Sequence, residues 1–134
     1  MNHDNIMMLI TPKAEVCYLY DHNTLRQGLE EMKRHGYAAI PVIKETGEYV
    51  GVVREGDFLW KIIQTGAVSK PAQEKISVQD ILQREAYKAA KIDEAMEDLV
   101  AKATQQNFVP VVDDRNCFCG IVTRRDIIKH FIKV

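Results

Sequence analysis

The sequence predicts an α/β fold built from two copies of one small unit. Three observations carry this. Landmarks recur at a fixed offset of 69 residues: Ala39-Ile40-Pro41-Val42-Ile43 precedes Phe108-Val109-Pro110-Val111-Val112, Gly51-Val52-Val53 precedes Gly120-Ile121-Val122, and Asp57 precedes Asp126. Apolar runs too short for helices alternate with stretches that are apolar at helical spacing. The length of 134 residues, with 46% hydrophobic and 28% charged residues, gives one domain's worth of sequence, with a real core and too much apolar content for disorder.

Each copy reads as strand, helix, strand, strand, helix. Val16 to Tyr20 is a β-branched and aromatic strand. Thr24 with Gln27 forms a capping-box pattern, and Leu25, Leu29 and Met32 follow at helical spacing until Gly36. Gly28 lies mid-helix, where a missing side chain permits close packing. Ala39 to Ile43 and Tyr49 to Val53 form a hairpin around Glu45-Thr46-Gly47-Glu48. A helix from about Gly56 to Thr65 closes the copy, with Phe58, Leu59 and Trp60 as an apolar opening suited to core packing or a dimer contact. Ser77 with Asp80 marks a short helix through Gln83. In the second copy Lys88 to Lys91 is a weak strand, and Asp93 caps a helix through about Gln105. Leu25 and Leu29 match Ala95 and Leu99 at an offset of 70, one residue being lost between helix and strand. Phe108 to Val112 and Cys117 to Val122 form the second hairpin, and Arg124 to Ile132 the last helix. A three-stranded sheet this small cannot bury both faces alone, so two copies packed face to face, with clefts where they meet, are expected.

Charge and composition exclude several classes. Eighteen Lys and Arg against 19 Asp and Glu leave a net charge of -1, without the basic surplus of nucleic-acid or anionic-membrane binders. No apolar run approaches a membrane span, and Met1 to Ile10 carries no basic residue before its apolar patch, unlike a signal peptide. Three cysteines without framework spacing point to a reduced, cytoplasmic setting. Cys117 and Cys119 read as small buried hydrophobes and the four histidines as scattered, so no metal site is expected. No nucleophile elbow, Walker loop or dinucleotide fingerprint is present, and no catalytic residue is assigned.

The duplicated Ile-Pro-Val-like strands, with Gly51-Val52-Val53-Arg54-Glu55-Gly56-Asp57 and Gly120-Ile121-Val122-Thr123-Arg124-Arg125-Asp126, resemble a tandem pair of CBS (cystathionine-β-synthase) domains, the Bateman module of the stand-alone bacterial type. The resemblance covers nearly the whole chain. It implies two β-α-β-β-α repeats in a pseudo-two-fold pair: residues 1–66 with the N-terminal segment, a linker at 67–79, and residues 80–134. It also implies a regulatory module that binds an adenine nucleotide (AMP, ADP, ATP or cyclic di-AMP), forms a homodimer and acts on an unidentified regulated protein. The family's ligand signature is Gly, two apolar residues, Ser or Thr, two variable residues, then Asp. The second copy matches it fully; the first has Arg54 where the hydroxyl is expected.

The second signature has a physical reading. Thr123 stands where a strand becomes a helix, and a helix N-terminus attracts anions. Its hydroxyl can donate to a phosphate oxygen, and the Asp126 carboxylate can accept from two ribose hydroxyls. Arg124 and Arg125 can pair with phosphate as forked donors. The same Thr-x-x-Asp is also a capping pattern that needs no ligand. Two arginines in the first turn of a helix oppose its dipole, a conflict that a bound anion would relieve. By the resemblance, the cleft holding Asp126 is walled by Val16 and Cys17 with Ile40 and Val42 near its base, while the cleft holding Asp57 is degenerate. The alternative is a ligand-independent interaction module that kept the fold and lost the site.

Overall fold

The computed structural model describes residues 5–82 and 87–132. In chain order the elements are β1 (Thr11–Pro12), β2 (Leu19–Tyr20), α1 (Leu25–His35), β3 (Ala39–Ile43), β4 (Tyr49–Arg54), α2 (Glu55–Thr65), α3 (Lys70–Gln73), β5 (Ala90–Lys91), α4 (Met96–Gln105), β6 (Phe108–Val112), β7 (Phe118–Thr123) and α5 (Arg124–Ile132). Short 3-10 turns stand at Ile6–Met8, Lys13–Glu15 and Val78–Asp80. The chain divides into two compact units: Cys17–Ala86, and Met1–Val16 with Tyr87–Val134.

In the unit that begins at Cys17, β2 runs parallel to β3, and β3 antiparallel to β4. Thr24 caps α1 reciprocally: its hydroxyl accepts from the Gln27 N–H (3.1 Å), and the Gln27 side-chain carbonyl accepts from the Thr24 N–H (2.8 Å). Such a cap contributes about 1 kcal/mol. Gly36 ends the helix at φ 68°, the left-handed conformation expected of it. Leu25, Met32, Ile40, Val42, Val53, Phe58, Val78 and Ile81 form one buried cluster. The expected strand from Val16 shrinks to Leu19–Tyr20. Ser77 does not cap the turn that follows it; its hydroxyl donates to the Asp21 carbonyl (2.9 Å). The expected helix there is a 3-10 turn, Val78–Asp80, and its far end at Gln83 lies outside the described residues.

In the other unit the sheet order is β1-β7-β6-β5. The hairpin turn is held by Asp113, whose carboxylate accepts from the Arg115 and Cys117 N–H groups, both at 2.9 Å. These donors hold its carboxyl below the usual range. Met96, Leu99, Ala103, Val109, Val111, Val122 and Ile127 form the core, joined by Ile6. Asp93 does not cap α4: the N-cap residue is Ala95. The buried helix positions Leu25, Gly28 and Met32 correspond to Met96, Leu99 and Ala103, an offset of 71 in place of 70.

The N-terminal segment, expected with the first repeat, belongs to the second repeat's unit. Its Thr11 and Pro12 pair with Ile121 and Gly120, and Ile6 is buried in that core. Gly120 permits the pairing, because a Cβ there would collide with the Thr11 carbonyl oxygen. The expected 67–79 linker likewise packs into the first repeat's unit. Ser69 caps α3, and the buried Gln73 amide donates to the Ala67 carbonyl (3.1 Å).

Candidate functional site

Both strand-to-helix signatures sit where β4 meets α2 and where β7 meets α5. In each, the first helical N–H is bonded back across the unit: Glu55 to the Ala38 carbonyl (3.0 Å), and Arg124 to the Asn107 carbonyl (3.2 Å). Each signature Asp lines a groove. Asp126 shares a groove of about 480 Å³ with Met8, Leu9, Ile10, Lys129 and His130. Asp57 shares one of about 360 Å³ with Trp60, Lys61, Gln64, Asp80 and Ile81. The grooves are counterparts, since Asp57, Trp60 and Lys61 stand at the repeat positions of Asp126, Lys129 and His130.

The carboxylates differ in what occupies them. Asp57 accepts from the Arg54 backbone N–H at 2.8 Å, and the Arg54 Nε lies 3.5 Å from the same oxygen. This carboxylate is the cap of α2, and its side chain is largely buried. In the second copy the bond runs the other way: the Thr123 hydroxyl oxygen accepts from the Asp126 N–H at 3.1 Å. Among the described residues no donor is bonded to the Asp126 carboxylate. The Asp126 oxygens are thus open to the groove, whereas the Asp57 carboxylate is bonded to its helix terminus.

The two arginines after Thr123 do not share a role. The Arg124 Nε donates to the Ala103 carbonyl (2.6 Å), Nη2 to the Thr104 carbonyl (3.2 Å) and Nη1 to Asn107 Oδ1 (3.1 Å). It covers the negative end of α4, so its clash with the dipole of α5 is answered inside the protein without an anion. This corrects the expectation that Arg124 serves phosphate. Arg125 is exposed.

The expected cleft walls also divide. Ile40 and Val42 are fully buried core side chains of β3 with no surface to offer a ligand, which corrects their placement at a cleft base. Val16 is half-buried and extended after its 3-10 turn, in the unit of Asp126. Cys17 is half-buried in the other unit, where its thiol donates to Glu31 Oε2 at 3.5 Å and Glu31 Oε2 lies 3.2 Å from His35 Nε2. The sequence reading missed this grouping, because it took the four histidines as scattered. It also missed the Met8-Leu9-Ile10 wall of the Asp126 groove. A signal existed: Ile6-Met7-Met8-Leu9 and Val78-Gln79-Asp80-Ile81 share apolar first and fourth positions, and Ile6 and Val78 are both buried at the start of 3-10 turns.

The CBS domain family model matches residues 9–64 and 78–133. The chain belongs to the CBS domain family. An uncharacterized protein of Methanopyrus kandleri is 26% identical over 102 residues, covering 74% of this chain and 49% of that protein. The chain thus spans about half, or less, of the length of the first curated relatives it matches. A crystal structure of CbpB in complex with c-di-AMP superposes with a TM-score of 0.88 at 19% identity, covering 97% of this chain and 85% of the other. One of CBSX2 in complex with AMP gives a TM-score of 0.75 at 22% identity, covering 96% of each chain. The two CBS repeats are those expected from the sequence, in a mixed α/β chain. No helix among the described residues is long and apolar enough to cross a membrane.

Proposed function

We propose that this CBS pair is a regulatory sensor of an adenine nucleotide, with one principal site per chain at Thr123 and Asp126 and no chemical step. The observation that carries this reading is the open Asp126 carboxylate, set in a groove with an apolar wall, the Lys129 ammonium and the His130 imidazole. Met8, Leu9 and Ile10 suit a purine face, Asp126 suits ribose hydroxyls, and Lys129 with His130 suits phosphate. The Asp57 groove is the poorer host: its carboxylate is spent on a cap, and Asp80 adds negative charge. The ligands of CbpB and CBSX2, c-di-AMP and AMP, support the adenine class. Binding changes the affinity of the pair for a regulated protein partner, and that partner changes nucleotide affinity by the same factor. The exposed apolar residues of α2 and α5 support a homodimer, and the setting is the cytoplasm.

A thermal-shift comparison tests the reading. AMP, ADP, ATP and c-di-AMP are set against GMP and inorganic phosphate. A ligand at a hundredfold excess over its Kd adds about 2.7 kcal/mol, which raises the melting temperature of a chain this size by roughly 5–15 °C. At least one adenine compound is expected to do so. No shift with any of them at millimolar concentration refutes the sensor.

A further inference from the structure

We propose that Cys17, Glu31 and His35 form a zinc-type divalent metal site on α1, with a fourth coordination position open to solvent. The three donors are of the kinds zinc takes, one thiolate, one carboxylate and one imidazole, and three protein ligands plus an open position is a recurrent zinc arrangement. Their ligand atoms all lie within 4.8 Å of one another. The spacing is more specific than that. Bonds of about 2.3 Å to sulfur and about 2.0–2.1 Å to nitrogen and oxygen at tetrahedral angles place sulfur and oxygen about 3.5 Å apart, and nitrogen and oxygen about 3.3 Å apart. Cys17 Sγ and Glu31 Oε2 are 3.5 Å apart, and His35 Nε2 and Glu31 Oε2 are 3.2 Å apart. Both edges that meet at Glu31 Oε2 therefore match a zinc tetrahedron, and the third, from Cys17 Sγ to His35 Nε2, lies within 4.8 Å.

The surroundings orient the set. Glu31 and His35 are one helical turn apart on α1, so they share a face. Cys17 arrives from the segment leading into β2 and packs against the unit's core cluster, which fixes its sulfur. Arg34 Nη1 lies 3.5 Å from Glu31 Oε1, the other carboxylate oxygen, and so leaves Oε2 to the metal. The ring of Tyr37 stacks on His35 at 5.2 Å between centroids. Outer contacts of this kind hold ligands in place. His35 is exposed, which provides an entry path and room for a water as fourth ligand. The thiolate favours zinc-like ions over magnesium or calcium. Burial first, and then the Glu31 charge, push the Cys17 thiol up to about 11 against a smaller opposing pull from Arg34. Metal binding to the thiolate releases the thiol proton to solvent. Cys117 and Cys119 are not members of this group of donors.

The full chain, reduced and without nucleotide, is titrated with Co²⁺ and then Zn²⁺. One equivalent of Co²⁺ is expected to bind with a thiolate-to-cobalt charge-transfer band, which Zn²⁺ abolishes by displacement. Cys17→Ser removes the band, and the double variant Cys117→Ser/Cys119→Ser keeps it. His35→Ala, at an exposed position, weakens Zn²⁺ binding by about tenfold or more. The proposal is overturned if wild type gives no band, if the band survives Cys17→Ser, or if it vanishes in the Cys117/Cys119 variant. Circular dichroism checks that Cys17→Ser folds. Should it not, unchanged Zn²⁺ affinity in both His35→Ala and Glu31→Gln overturns the proposal equally.

Discussion

The ring of Phe58 fills the space that a side chain at position 28 would occupy. A Cβ on Gly28 would lie 2.6 Å from Cζ and 2.8 Å from Cε1 of Phe58, and Phe58 is itself fully buried. Gly28→Ala therefore sets two effects against each other. The helix gains about 1 kcal/mol in propensity. Overpacking a rigid core position costs about 1–3 kcal/mol. The stiff ring is fully buried and would have to shift, so the loss wins: a net destabilisation of about 1 kcal/mol and a melting midpoint several degrees lower are expected. Thermal denaturation checks this, with Gly28→Ala/Phe58→Leu recovering part of the loss. A rise in the midpoint for Gly28→Ala alone would contradict the packing argument.

Position 28 also shows how far the sequence could be read. A glycine inside a helical pattern announces close packing, but not its partner. The Thr24–Gln27 box, the Gly36 terminus and both hairpins were legible, because local chemistry decides them. The attachment of Thr11–Pro12 to β7 was not, since two strand residues carry no periodicity and the pairing rests on a backbone approach that Gly120 allows. At the candidate site, the capping bond between Thr123 and Asp126 was legible from their spacing. The role of Arg124 was not, because its acceptors are carbonyls some twenty residues away, and carbonyls leave no mark in sequence.

Arg124 offers its own test. Two of its donors cover the last carbonyls of α4, and a third holds the Asn107 side chain. Arg124→Ala is expected to cost about 1 kcal/mol of stability by uncovering those carbonyls. Adenine-nucleotide affinity, measured by calorimetry well below the melting point, should change by less than about threefold. A tenfold loss of affinity at unchanged stability would put the guanidinium on phosphate after all.

The exposed faces of α2 and α5 bear on assembly. Leu59 and Ile63 on α2 stand at the repeat positions of Ile128 and Ile132 on α5, and all four are exposed. Apolar surface repeated this way on both units suits a second copy, because an isologous contact uses one patch twice. Light scattering at tens of micromolar is expected to give about twice the chain mass of 15.3 kDa. Leu59→Glu/Ile63→Glu should give the monomer mass, with stability little changed at sites that touch no core. A wild-type monomer, or a dimer unaffected by both charges, rules out this face.

Asp57 and Asp126 occupy equivalent positions but hold different partners, and that difference separates capping from ligand recognition. The Asp57 carboxylate bonds the Arg54 N–H, so Asp57→Ala removes a cap and costs about 1 kcal/mol of stability. Nucleotide affinity should barely respond. The helix terminus after Thr123 is held by the threonine hydroxyl, so Asp126→Ala keeps that bond and loses little stability. If its carboxylate holds ribose, the variant loses charge-assisted hydrogen bonds of about 1.5–3 kcal/mol, a fall in AMP affinity of roughly tenfold to a hundredfold. The decisive measurement is a cycle of wild type and Asp126→Ala against AMP and its deoxyribose analogue. Wild type should prefer AMP, and the variant should lose most of that preference. A preference that survives Asp126→Ala but disappears in Asp57→Ala would move the principal site to the other groove. One that survives both would leave the carboxylates as helix caps, with the ribose read elsewhere.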